Sequence, residues 1–152
     1  MLTAIPRSWF SWDFALTDGD TPLGDIDFSA WRDKGELKIG GAPYRVYREA
    51  MFGPFVLESG SGVVASAVKP SSLSRRFIIE YGHAQYELQP ASFFSRGFQL
   101  VAGTTPIGTL SASGFLARRM NIDLPKSLPL PVRAFVAWLV IMLWRRDATA
   151  AS

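Results

Sequence analysis

Between Ala134 and Trp144 the chain carries eleven residues, AFVAWLVIMLW, with no polar side chain other than two indole N–H groups. It is the only long apolar run in the sequence, and no other feature constrains the fold as much. Pro129 and Pro131 precede it, and Arg145 and Arg146 follow it directly. Pro131 fits the first helical position, where a missing N–H costs nothing, and the arginines suit a helix C-terminus. The pattern predicts a helix over about 130–146. Pro131 to Arg146 would span roughly 24 Å at about 1.5 Å per residue. A helix apolar all round must be buried, in protein or in lipid. Spanning a bilayer usually takes about 20 apolar residues; this run is shorter and has Arg133 near one end. The expectation is burial inside the protein, with a tail-anchored membrane protein as the alternative.

What precedes the run is repeated. Phe14-x-Leu16-x-x-Gly19 recurs as Phe55-x-Leu57-x-x-Gly60 and as Phe98-x-Leu100-x-x-Gly103, at offsets of 41 and 43 residues. Thr21-Pro22-Leu23-Gly24-x-Ile26 aligns with Thr105-Pro106-Ile107-Gly108-x-Leu110, with Val64, Ala65 and Ala67 in the middle unit. A second block aligns Leu73-Ser74-Arg75-Arg76-Phe77-x-Ile79-Glu80 with Leu116-Ala117-Arg118-Arg119-Met120-x-Ile122-Asp123. A third pairs Gly40, Tyr44 and Val46 with Gly82, Tyr86 and Leu88. Three blocks in register indicate a triplicated unit.

Each unit reads as β-strands. Segments such as 55–59, 63–68, 76–81 and 85–89 are short and rich in β-branched and aromatic residues. Asp18-Gly19, Gly40-Gly41, Ser59-Gly60 and Gly82-His83 offer the positive-φ positions that tight hairpins need. Four strands in each of three units give about twelve, the first within 3–12 and the last near 118–124. Gly24, Ala65 and Gly108 fall on the apolar side of equivalent strands, since side chains alternate. Small residues there leave room for a bulky neighbour, expected to be the helix with Phe135, Trp138 and Trp144. The predicted fold is all-β with one helix: a closed, twelve-stranded antiparallel β-barrel of three four-stranded repeats around the C-terminal helix. Closure removes free sheet edges, and a barrel this wide needs a filling. The domain is expected over residues 1–147, strands at about 3–124, with 148–152 a disordered tail.

The repeated strand units, the Ile107-Gly108-Thr109-Leu110 strand, and Met120-Asn121-Ile122-Asp123-Leu124 leading to an apolar C-terminal helix resemble the LURP-one-related proteins. That family belongs to the tubby C-terminal-like superfamily, which includes the phospholipid scramblases. The resemblance covers essentially the whole chain. It implies a twelve-stranded barrel wrapped on a central helix and, through the tubby members, phosphoinositide binding and membrane tethering, with scramblase-like lipid handling as a lesser alternative.

Charge is unevenly distributed behind a net +3. Residues 1–36 hold three basic and seven acidic side chains, a balance of −4; residues 37–146 hold thirteen and five, a balance of +8. A basic portion suits phosphate-bearing partners. The absence of Cys excludes disulfides and thiolate metal sites. MLTAIPRSWFSWDF lacks a charged segment followed by an apolar one, so no signal peptide is read, and a cytoplasmic location, peripheral to a membrane, is expected.

The single histidine, His83, lies in a predicted turn and has no visible nucleophile or orienting carboxylate beside it. Asp18, Asp20, Asp25 and Asp27 do not meet the twelve-residue calcium-loop pattern. No catalytic residue, cofactor or metal is therefore assigned. The duplicated Arg75-Arg76 and Arg118-Arg119 are the leading polar feature, because arginine forks match phosphate bidentately. Lys69 and Lys126, and also Arg145 and Arg146, extend the candidate phosphate or lipid-headgroup site. Trp9, Trp12, Phe93 and Phe94 are the aromatics available for nucleic acid, but a small barrel tends to bury such residues, so nucleic acid is not the expected partner. The functional expectation is a non-catalytic module that binds a membrane surface or anionic phospholipid headgroup. The alternative is a protein-interaction scaffold without a small ligand.

Overall fold

The computed structural model describes residues 1–9, 11–30, 33–92, 96–114 and 118–151. Twelve strands follow one another: β1 (Leu2–Pro6), β2 (Phe14–Asp18), β3 (Thr21–Phe28), β4 (Gly35–Ile39), β5 (Ala42–Arg48), β6 (Phe55–Ser59), β7 (Gly62–Val68), β8 (Phe77–Tyr81), β9 (Ala84–Pro90), β10 (Phe98–Ala102), β11 (Thr105–Ala112) and β12 (Met120–Asp123). Every strand pairs antiparallel with its sequence neighbours, and β1 closes on β12 through Leu2↔Ile122 and Ala4↔Met120. The sheet is a closed barrel around one helix, α1 (Leu130–Ala151).

The Phe-x-Leu spacing places both residues on the inner face. Phe14, Leu16, Phe55, Leu57, Phe98 and Leu100 are all fully buried. Opposite each leucine the ladder slips by one residue, between Leu16 and Thr17, Leu57 and Glu58, and Leu100 and Val101. The unpaired residues on the facing strands are Leu23, Val64 and Ile107, and all three pack against the core. Such bulges bend a strand and re-aim its side chains.

On α1, Val132 and every residue from Ala134 to Trp144 are buried. Trp138 is wholly inside, stacked on Phe28 at 4.8 Å between ring centroids and tilted against Phe55 at 6.0 Å. At 22 residues the helix is roughly 33 Å long, using about 1.5 Å per residue. No helix among the described residues is long and apolar enough to cross a membrane.

Three expectations are corrected in detail. The small residues at 24 and 108 make room for neighbouring strands, not for the helix. A Cβ on Gly24 would overlap the Lys38 carbonyl of β4, and one on Gly108 would stand 2.5 Å from the Asp123 carbonyl oxygen and 2.9 Å from Leu124. The wall makes way for the helix at Gly35, where a Cβ would meet Trp138 Nε1 at 2.6 Å. In the third hairpin the positive φ belongs to Gly62, not Gly60. Lastly, the helix continues past 146 to Ala151. Ala148, Ala150 and Ala151 favour that continuation, and Thr149 donates its hydroxyl to the Arg145 carbonyl at 2.9 Å. Arg145 and Arg146 thus stand before the last turn and do not cap it.

Candidate functional site

Antiparallel order sorts the connections onto the two ends of the barrel. At one end are two-residue turns at 19–20, 40–41, 60–61, 82–83 and 103–104, with the 124–129 segment leading into α1. At the other end are six longer loops, 7–13, 29–34, 49–54, 69–76, 91–97 and 113–119, and here α1 emerges after Trp144. The short-turn connections contain one acid and one base, Asp20 and Lys126. The described residues of the six loops, with Arg48 at the end of β5 and the helix end from Arg145, hold eleven basic and four acidic side chains, a balance of +7. The excess of positive charge is thus gathered at one end of the barrel axis.

The cations at the loop end also close the core. Arg48 lies over Phe55 (4.7 Å to the ring centroid), Arg145 over Phe28 (5.6 Å), Arg75 over Phe98 (5.7 Å), Lys69 over Phe77 (6.0 Å), Arg96 over Trp144 (4.8 Å) and Arg118 over Trp12 (5.1 Å). A guanidinium stacked by its face keeps its edge N–H groups for an anion. Some of those edges also serve protein oxygens: Arg48 donates to the Gly53 carbonyl, Arg145 to that of Ala30 and Arg96 to that of Gly114.

Five of the six residues singled out in the sequence lie at this end, and Lys126 lies at the opposite one. Arg75 pairs with Asp147 of α1 at 3.1 Å, and Arg76 with Glu87 on β9 at 3.0 Å. Arg118 donates to the carbonyl oxygens of Ser8, Ser11 and Trp9, the last at 2.7 Å, and so clamps the β1–β2 loop. Arg119 is exposed. The doublets precede β8 and β12, four strands apart in the ring. Lys126 follows β12, where its charge, with that of Arg133, acts on Asp18 beside the N-terminal ammonium. Phe93, Phe94, Leu116 and Ala117 lie outside the described residues.

The charges that do converge are Lys69, Arg48, Arg75 and Arg146, with Asp33 and Asp147 as counter-charges. Asp33 holds Arg48 at 3.6 Å and also Arg146. Burial lowers the Lys69 pKa from its ordinary value, and the positive charges of Arg146 and Arg48 lower it further. Cations crowded past neutralisation mark a place where an added anion relieves repulsion. Lys69 and Arg48 line a groove of about 390 Å³ with Phe52, Pro70, Ser71 and Ser72. A second cleft of about 400 Å³ lies between Phe28, Asp33 and the helix end at Arg145 and Arg146. Sequence reading passed over Arg48 because it stands alone, outside any doublet; its place is apparent only once β5 is set two strands from β7.

The remaining candidates are dispersed. Asp18 and Asp20 sit at the short-turn end, whereas Asp25 pairs with Arg7. His83 is exposed in its turn. Among the described residues no group of three or more His, Cys, Asp or Glu is placed to hold a metal ion. Comparison with protein-family models, curated proteins and solved structures gives no match to this chain.

Proposed function

We propose that the protein is a non-catalytic module that binds anionic phospholipid headgroups at a membrane surface. The observation that carries this reading is the +7 balance gathered at the loop end, against one acid and one base in the opposite connections. Headgroup phosphate would enter the groove between Arg48 and Lys69, whose crowded positive charge an anion relieves. Arg76 and Arg119 would then contribute from the surrounding rim rather than as a paired site. A basic residue near an anionic leaflet contributes about 1 kcal/mol. Engaging most of this end would correspond to dissociation constants on the order of micromolar to millimolar. Such attraction is screened over about 10 Å at 0.1 M salt.

The test is co-sedimentation with phosphatidylcholine vesicles, with and without phosphatidylserine, at low and at physiological salt. Binding that needs the anionic lipid and weakens with salt supports the reading. Indifference to anionic vesicles at low salt ends it. If Arg48→Ala with Lys69→Ala binds as well as wild type, the groove assignment fails while the surface reading stands.

A further inference from the structure

We propose that the barrel meets the bilayer end-on, and that Trp9, Phe52 and Leu73 enter the boundary between headgroups and acyl chains. The inference rests on the headgroup reading and adds an orientation and an apolar contact to it. Seven large apolar side chains are exposed among the described residues, and five lie at the loop end: Trp9 (89% exposed), Met51 (79%), Phe52 (75%), Val68 (42%) and Leu73 (94%). Single exposed apolar residues are ordinary on a protein surface. The position of these is the informative point, since four stand in the loops of the barrel end where the excess positive charge is gathered.

The loops lie on different sides of the ring. Trp9 sits between β1 and β2 and Leu73 between β7 and β8, six strands apart in either direction around the twelve. With neighbouring strands about 4.8 Å apart and tilted, the ring is roughly 20 Å across. A partner that covers Trp9 and Leu73 together must be broad and must yield locally to each tip. A lipid surface does both, and its negative charge complements the cations between the tips. Long basic side chains lay their stems along apolar surface and keep the charge at headgroup level. Indole and phenyl rings suit that same boundary. The Arg118 clamp fixes the backbone of the Trp9 loop while leaving the indole in water, so little ordering remains to be lost on insertion.

The experiment uses the full chain and phosphatidylcholine–phosphatidylserine vesicles, with part of the phosphatidylcholine replaced by its dibrominated form. Bromine at the acyl boundary should quench tryptophan emission in the wild type, and most of that quenching should vanish in Trp9→Phe although the variant still binds. Phe52→Asp and Leu73→Asp should each lower vesicle affinity about tenfold with unchanged thermal melting, since both side chains are exposed. Binding without quenching, or undiminished binding by both Asp variants, overturns insertion and leaves headgroup binding intact. No binding to anionic vesicles at low salt removes both readings. A dimer in solution that Leu73→Asp dissociates would assign the apolar tips to a second copy of the chain, and would likewise overturn insertion.

Discussion

Gly35 and Trp138 share one volume: a methyl group on residue 35 would stand 2.6 Å from the indole Nε1 of the central helix. The indole is fully buried and its N–H has no hydrogen-bond partner among the described residues, so packing and not bonding sets the approach. The same methyl would overlap the Asp27 carbonyl across the β3–β4 ladder. Neither neighbour can retreat cheaply, because Trp138 is stacked on Phe28 and Asp27 is held in the sheet. Gly35→Ala should therefore cost about 3 kcal/mol or more. At Gly60 nothing lies within 4 Å of an added Cβ, and Gly60→Ala should be close to neutral. Urea denaturation of the two variants checks the contrast.

Arg118 acts on the molecule's own backbone. Its guanidinium serves three carbonyl groups of the β1–β2 loop and stacks on Trp12. Arg118→Gln should destabilise by about 1–2 kcal/mol, with faster proteolysis within residues 7–13. Arg119→Gln, at an exposed position, should stay within about 0.5 kcal/mol. Equal effects of the two substitutions in thermal melts would contradict the clamp.

The sequence made these two arginines look equivalent because a doublet is a local pattern, whereas the clamp depends on a loop more than a hundred residues away. The barrel itself was legible. Phe-x-Leu-x-x-Gly combines an inward pair with a turn, and the eleven apolar residues from 134, too few for an ordinary membrane span, call for a wall around them. Gly35 gave no signal, since it lies outside the repeated Gly24 and Gly108 positions and its partner is on the helix. Gly24 and Gly108 suggest helix clearance in the sequence, because the approach of the Lys38 and Asp123 carbonyls depends on strand pairing that composition does not reveal. Lys126 was grouped with Lys69 by charge, yet the one strand between Arg119 and Lys126 carries the chain from one end of the barrel to the other.

Asp27 gives the fold a pH dependence of known sign. Burial raises its pKa above the ordinary 3.8, and the negative charge of Asp13 and then of Glu36 opposes ionisation further, partly offset by Arg7 and Lys38. A raised carboxyl pKa means that the folded state favours the protonated form. Its contribution to stability is fully present below the ordinary pKa and is lost as pH rises through the folded value. Asp27→Asn removes that loss, so the variant should melt above wild type at pH 7, by about 0.5 kcal/mol of stability. The advantage should shrink towards zero at pH 3.5 and below. A difference in melting temperature that does not change between those pH values would contradict the assignment.

The helix divides into a part that makes the core and a part that does not. Val132 and Ala134 to Trp144 are buried, and ten of these twelve are valine or larger. Burial of such a side chain contributes about 1.5–3 kcal/mol, which sums to on the order of 20 kcal/mol, beyond the roughly 5–15 kcal/mol net stability of a domain. A chain ending at Pro129 should have no cooperative unfolding transition and should collect in aggregates, because the inner faces of twelve strands would be left uncovered. A chain ending at Asp147 removes, among the described residues, only exposed ones and keeps the Arg75–Asp147 and Arg146–Asp33 pairs. It should unfold within about 1 kcal/mol of the full chain. Calorimetry of both truncations tests the division, and a cooperative transition in the 1–129 chain would show that the barrel holds without its helix.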